Sequence, residues 1–213
     1  MSSHSAAGRI DLSAGLCVPQ HPEGNRALPG LISSTAQPAA AEQALEDARS
    51  SVAGLFGAGE TEVVFTSGGA EASSAAIKGL ALAVRGKRGG SPRIVLPVVE
   101  HSPVLHSARG LARLGFEIVE VPVDGAGRVD ADEFARELRK GAALGALQWA
   151  NDELGTVQPV PAVAKVAADL GIPLHVDATA AAGWVAIGAW AAAARLKSSS
   201  RFRTGNWAAT SGA

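Results

Sequence analysis

A chain of 213 residues, 47% of them hydrophobic, is long enough to bury one sizeable core with room for a small appendage. The formal net charge of −1 gives no electrostatic reason to expect nucleic acid or an anionic membrane surface as a partner, and no apolar run reaches the length of a membrane span. The single cysteine, Cys17, excludes an internal disulfide framework and fits a reducing cytoplasm. Met1 to Gly8 lacks the basic-then-apolar order of a signal peptide. No Cys/His cluster has metal-ligand spacing, since His101 and His106 do not share one helix face.

In chain order, residues 1–37 read as irregular, with Pro19, Pro22 and Pro29 among several glycines. Leu45, Ala48, Val52, Leu55 and Phe56 then fall on one helical face, and Gly57 stops the helix. Val63 to Thr66 reads as a short strand, followed at once by a helix over about 70–85 and an exposed loop, Gly86-Lys-Arg-Gly-Gly90. Apolar runs recur at 94–98, 118–121, 145–150 and 172–176, separated by helical patterns at 104–114, 131–138 and 160–170. Short buried strands spaced by helices predict an α/β fold: a three-layer sandwich whose mainly parallel sheet is covered on both faces. In such sheets ligands sit in the crevice at the carboxyl ends of the strands.

Several polar residues fall at those ends. Thr66-Ser-Gly-Gly69 joins strand to helix, and two adjacent glycines there let backbone N–H groups and the helix dipole face an anion such as phosphate. The same segment also suits an ordinary βα turn with a small-residue cap. Asp177 ends the run from Ile172, so it is either a carboxylate needing a cation or donors, or a helix N-cap. Asn151-Asp152-Glu153 is a second polar cluster or a turn leading to Gly155, and Glu100-His101 follows the strand 94–98, with His101 a candidate catalytic residue or a cap or surface residue.

Phe65-Thr-Ser-Gly-Gly-Ala-Glu71 with Ile77-Lys-Gly79, Glu100-His101, Ala150-Asn-Asp-Glu-Leu-Gly-Thr-Val-Gln-Pro159 and His175-Val-Asp-Ala178 occur in this order. Together they resemble the cysteine desulfurases and related class V aminotransferase-fold enzymes, which use pyridoxal 5′-phosphate (PLP). The resemblance covers about residues 40–188 and implies the large domain of a fold-type I PLP enzyme, normally a homodimer that takes sulfur from L-cysteine, leaves alanine and passes the sulfur to an acceptor protein. It divides the chain into the irregular segment 1–37, a partial PLP-binding domain at 38–188, and a basic, low-complexity tail at 189–213.

The resemblance assigns Gly69 and Ala70 to the PLP phosphate, although Ala70 lacks the threonine hydroxyl usual there. It assigns His101 to stacking on the ring and to proton transfer, and Asp177 to the pyridine nitrogen. Asp152 replaces an asparagine near the phenolic oxygen, where Asn151 is an alternative by a small shift, and Ala180 replaces a glutamine. Ser200 and Arg203 match the serine and lysine of a Ser-x-His-Lys motif whose lysine binds the cofactor covalently. An arginine cannot do so at neutral pH. The resemblance therefore implies a truncated, inactive form, with a frameshift near codon 188 as one origin, and no cysteine follows Cys17 to accept sulfur. The alternatives are another class V enzyme, such as an aminotransferase or selenocysteine lyase, or a non-catalytic nucleotide-binding module. Against the last, Ser67 to Ala72 lacks the G-x-G-x-x-G spacing.

Overall fold

The computed structural model of the chain describes residues 38–85 and 92–185. Cys17, Ser200, Arg203 and the basic tail lie outside the described residues. The elements are α1 (Pro38–Phe56), α2 (Gly69–Val84), β1 (Arg93–Pro97), α3 (Ser102–Leu111), β2 (Glu117–Val121), α4 (Ala131–Arg139), β3 (Ala142–Ala146), α5 (Val160–Asp169) and β4 (Leu174–His175). The strands form one sheet in the order β2-β1-β3-β4, and every pairing is parallel.

Two apolar clusters cover the two faces of this sheet. Ile77 and Ala81 of α2 and Val104, Ala108 and Leu111 of α3 pack on Ile94, Leu96, Leu144 and Ala146. On the other face Phe134 and Leu138 of α4 and Val163 and Ala167 of α5 pack on Val95, Val121 and Leu147. The pairing slips between Arg93 and Ile94, which oppose Ala142 and Leu144. That bulge at Ala143 is why Ala142 and Leu144, two apart, serve opposite cores. Helix α4 has its own start signal, with the Asp130 carboxylate accepting from the amides of Asp132 and Glu133 at 2.8 and 3.0 Å.

Beyond the two residues of β4 the chain stays alongside β3. The Gly145, Leu147 and Trp149 amides donate to Pro173, His175 and Asp177 carbonyls at 3.0, 2.9 and 2.7 Å. The expected strand at 172–176 is thus present as a line of backbone bonds that delivers Asp177 to the sheet's carboxyl edge.

Two expectations fail. Residues 63–66 form no strand, because no neighbouring strand offers a ladder to them among the described residues. A side chain holds the segment instead: Arg49 Nη1 donates to the Val63 carbonyl at 2.6 Å, and its guanidinium lies 5.0 Å from the Phe65 ring centroid. The apolar face of α1 is also narrower than its periodicity suggests. Ala53 and Phe56 are buried, whereas Leu45, Ala48 and Leu55 are exposed.

Gly145 is the tightest point of the central strand. A Cβ there would sit 2.9 Å from Leu174 Cδ1 and 3.2 Å from Leu138 Cδ2. We expect Gly145→Val to destabilise the fold by about 1–3 kcal/mol through overpacking, measured as a lower urea midpoint. An unchanged midpoint would mean that α4 and β4 move apart freely.

Candidate active site at the carboxyl ends of β1, β3 and β4

The order β2-β1-β3-β4 reverses direction between β1 and β3, because the chain leaves β1 towards β2 on one side and later returns to the other. At such a reversal the connections after the two strands splay apart and open a crevice. Glu100 and His101 follow β1, Gln148 to Asn151 follow β3, and Asp177 follows β4.

The loop after β1 is tied to the end of β3 by side chains. Val99 O accepts from Gln148 Nε2 and from Asn151 Nδ2, the latter at 3.1 Å, and Glu100 Oε1 accepts from the Gln148 amide. Asn151 Oδ1 meanwhile accepts from the Glu153 and Leu154 amides at 3.0 and 2.8 Å and so builds the turn that ends at Gly155. With both ends of its amide committed, Asn151 is not available to take over from Asp152, contrary to that expectation. Asp152 stands exposed on this turn, and its charge helps to raise the pKa of His101.

His101 is the N-cap residue of α3 by position, but its imidazole caps nothing. Nδ1 lies 3.8 Å from Asp177 Oδ2, an ion-pair distance rather than a hydrogen bond. The imidazole is 57% exposed and the Asp177 side chain 9% exposed, so a buried anion faces an open ring. Contact with Asp177 raises the His101 pKa above its ordinary 6.5, against a smaller opposing effect of burial. Burial pushes Asp177 upward, but His101 and Thr179 outweigh it and bring the carboxyl down to about 2. Asp177 Oδ1 accepts the Thr179 amide at 3.0 Å. Asp177 thus caps a turn with one oxygen, and not the expected helix, since residues 178–185 form turns rather than a helix; its other oxygen faces His101.

Two further groups were named in the sequence motifs without a role of their own. Glu100 is 4% exposed, and its Oε2 has no hydrogen-bond partner; His175 is buried with Nε2 likewise unpartnered. Burial raises Glu100 to about 8; the Gln148 and His101 amides oppose this, and the Asp177 charge adds to it. Burial pushes His175 below its ordinary 6.5, so it is neutral at pH 7. The available signal was a glutamate directly after a buried strand and a glutamine between Leu147 and Trp149, because polar groups in apolar runs need partners.

At the start of α2, Glu71 Oε2 accepts from the Ser67 amide and hydroxyl at 2.6 and 2.7 Å. That spends the Ser67 donors, and no side chain caps the helix at Gly68. Gly68 itself, with φ 159° and ψ 178°, holds a conformation that L-residues rarely adopt. The amides of Gly69 and Ala70 then open a helix of sixteen residues.

The aminotransferase class-V family profile matches residues 30–188. The chain belongs to this family. The cysteine desulfurase IscS of Dictyoglomus turgidum is 40% identical over 144 residues, covering 68% of this chain and 36% of the relative. The IscS of Neisseria meningitidis serogroup A is 38% identical over 160 residues, 75% of this chain and 39% of the relative. Among solved structures, DndA from Streptomyces lividans is similar with a TM-score of 0.71 and 28% identity, covering 84% of this chain and 51% of that one. SspA in complex with cysteine has a TM-score of 0.65 and 30% identity over 80% and 50% of the two chains. The chain thus spans little more than a third of the curated relatives' length. Membership of this family removes the nucleotide-binding module as an alternative and gives the sheet its type, the large domain of the fold-type I enzymes.

Glu100 yields a pH prediction. A carboxyl whose pKa is higher folded than unfolded holds its proton more tightly in the native state, so stability falls as pH rises from the ordinary 4.5 to about 8 and levels off above. Glu100→Gln removes that loss. Its stability relative to wild type, from urea titrations across pH 4–9, should rise over this window by an amount on the order of a few kcal/mol. A difference that stays flat with pH would show that Glu100 is ionised in the native state.

Proposed function

We propose that the chain is a cysteine desulfurase-like domain that binds PLP in the crevice between β1, β3 and β4. One observation carries the reading: in a chain of the class V family, a buried anionic Asp177 faces the exposed imidazole of His101 at the sheet's point of reversal. The residues fit the cofactor. A carboxylate held at about 2 suits a protonated pyridine nitrogen, and a flat, accessible imidazole suits ring stacking. The Gly69 and Ala70 amides, at a helix N-terminus without a side-chain cap, suit a phosphate.

When bound, PLP supplies an electron sink for charge developing at the substrate Cα. The chain's part is to hold and orient it. Asp177 would keep the ring nitrogen protonated, and the raised pKa of His101 suits it to carry a proton at Nδ1 close to neutral pH. Ala70 offers no hydroxyl to a phosphate, and the Glu71 carboxylate stands on the neighbouring Ser67, so among the described residues of this turn the Gly69 and Ala70 amides would hold it, with Ser200 a further residue that the resemblance assigns. The resemblance puts Asp152 near the phenolic oxygen, where a second anion would be unfavourable. The proposed substrate is L-cysteine, supported by the IscS relatives and by the cysteine complex of SspA. A homodimer and a sulfur-acceptor protein belong to the same reading.

The proposal includes inactivity of this chain by the family route. Arg203, and not a lysine, stands where the resemblance assigns covalent attachment, and Ser200 stands in place of the motif serine. With PLP and L-cysteine supplied, sulfide release should stay at the rate given by PLP alone. Release above that rate would mean that another amine, with Lys197 the nearest, replaces the motif lysine.

Binding is tested through Asp177. Asp177→Asn keeps the shape and the Thr179 bond but removes the anion, so PLP affinity should fall and the bound cofactor's visible spectrum should move to the unprotonated-ring form. Equal affinity and an identical spectrum would leave Asp177 with its capping role only.

A further inference from the structure

We propose that Glu100 is the positioning residue for His101: by closing its carboxyl on the Gln148 amide across the β1–β3 crevice, it sets where the imidazole stands relative to Asp177. The inference rests on the PLP reading above for its purpose, though not for its geometry. Glu100 immediately precedes His101 in a short connection between β1 and α3, so any shift of its side chain is passed to the next Cα. Its side chain is buried and bonded to the opposite strand end, whereas His101 is exposed, with the 3.8 Å contact to Asp177 as its side-chain tie among the described residues. An open side chain with one long-range contact is placed by its backbone, and that backbone is held by Glu100 together with Val99 O.

The chemistry of the clamp also matters. A glutamate buried beside Asp177, with Oε2 unpartnered, is an expensive way to accept from the Gln148 and His101 amides; an apolar residue would fill the space without that penalty. Its raised pKa agrees with a neutral carboxyl, which leaves Asp177 as the anion that faces His101. The charged and titratable groups around the imidazole are then Asp177 from the end of β4, Asp152 from the turn after β3, and Glu100 beside it.

The test compares wild type, Glu100→Gln, Glu100→Met and Glu100→Asp. Glutamine keeps an acceptor for the Gln148 amide, methionine keeps the volume without the acceptor, and aspartate is one methylene too short to reach. The first readout needs no cofactor: titration of the His101 imidazole by NMR, its signals assigned by their loss in His101→Gln. In wild type and Glu100→Gln the imidazole should titrate above the ordinary value. In Glu100→Met it should fall back towards that value as His101 leaves Asp177, and Glu100→Asp gives the same readout should the methionine variant not fold. The second readout is PLP affinity by fluorescence quenching, unchanged in Glu100→Gln and about tenfold or more weaker in the methionine or aspartate variant, since small misplacements cost heavily. A His101 titration in the methionine and aspartate variants identical to wild type would overturn the inference. If wild type takes up no PLP at all, the functional reading fails, while the His101 titration still decides the role of Glu100.

Discussion

The pairing of β1 with β3 organises everything at the carboxyl edge of this sheet. Both strands are almost wholly buried, so their backbone groups must be satisfied by neighbouring strands, and a parallel ladder does this with helices on both faces. Because the chain places β2 outside β1 before it returns to lay down β3, the connections after these two strands diverge. The crevice follows from that order and from no particular side chain. Specific residues then close the gap where the ladder ends. Gln148 and Asn151 reach across to Val99, and Glu100 reaches back to Gln148.

Within the crevice, three ionisable groups share one small volume and are driven apart in character. Asp177, with two partners, is held as an anion; Glu100, buried with one oxygen unanswered, is pushed up to about 8; His101, open to solvent beside Asp177, holds a proton more tightly than a free imidazole. Each environment comes from the same polypeptide geometry, and differences of this kind distinguish sites built for chemistry from surface ion pairs. Arg109 with Glu120 and Lys165 with Asp169 are ordinary exposed pairs by comparison and contribute little to stability.

Much of this was legible in the sequence. The alternation of buried runs with helical periodicity fixes the parallel sheet, and Asp177, Glu100-His101 and Asn151-Asp152 do fall at one edge of it. The double glycine does open a helix. What the sequence could not supply depends on partners distant in the chain. Val63 to Phe65 has strand composition, but a strand exists only with a neighbour, and here Arg49 from α1 answers the Val63 carbonyl. Leu45 and Leu55 fit a helical stripe, yet the core reaches only as far as Ala53 and Phe56. Asn151 looks like a free polar side chain until its two neighbouring amides and Val99 are seen to engage it.

The contact between Arg49 and Val63 has a consequence for how the domain breathes. A segment paired in a sheet opens only when the sheet opens, whereas one held by a guanidinium opens whenever the helix carrying that guanidinium frays or the side chain lets go. The stem of the glycine turn is therefore linked to α1 more than to the strands, and the two should exchange their amide hydrogens as one cooperative unit, faster than β1 and β3. An anion that settles on the turn would slow exchange in α1, a helix it never touches.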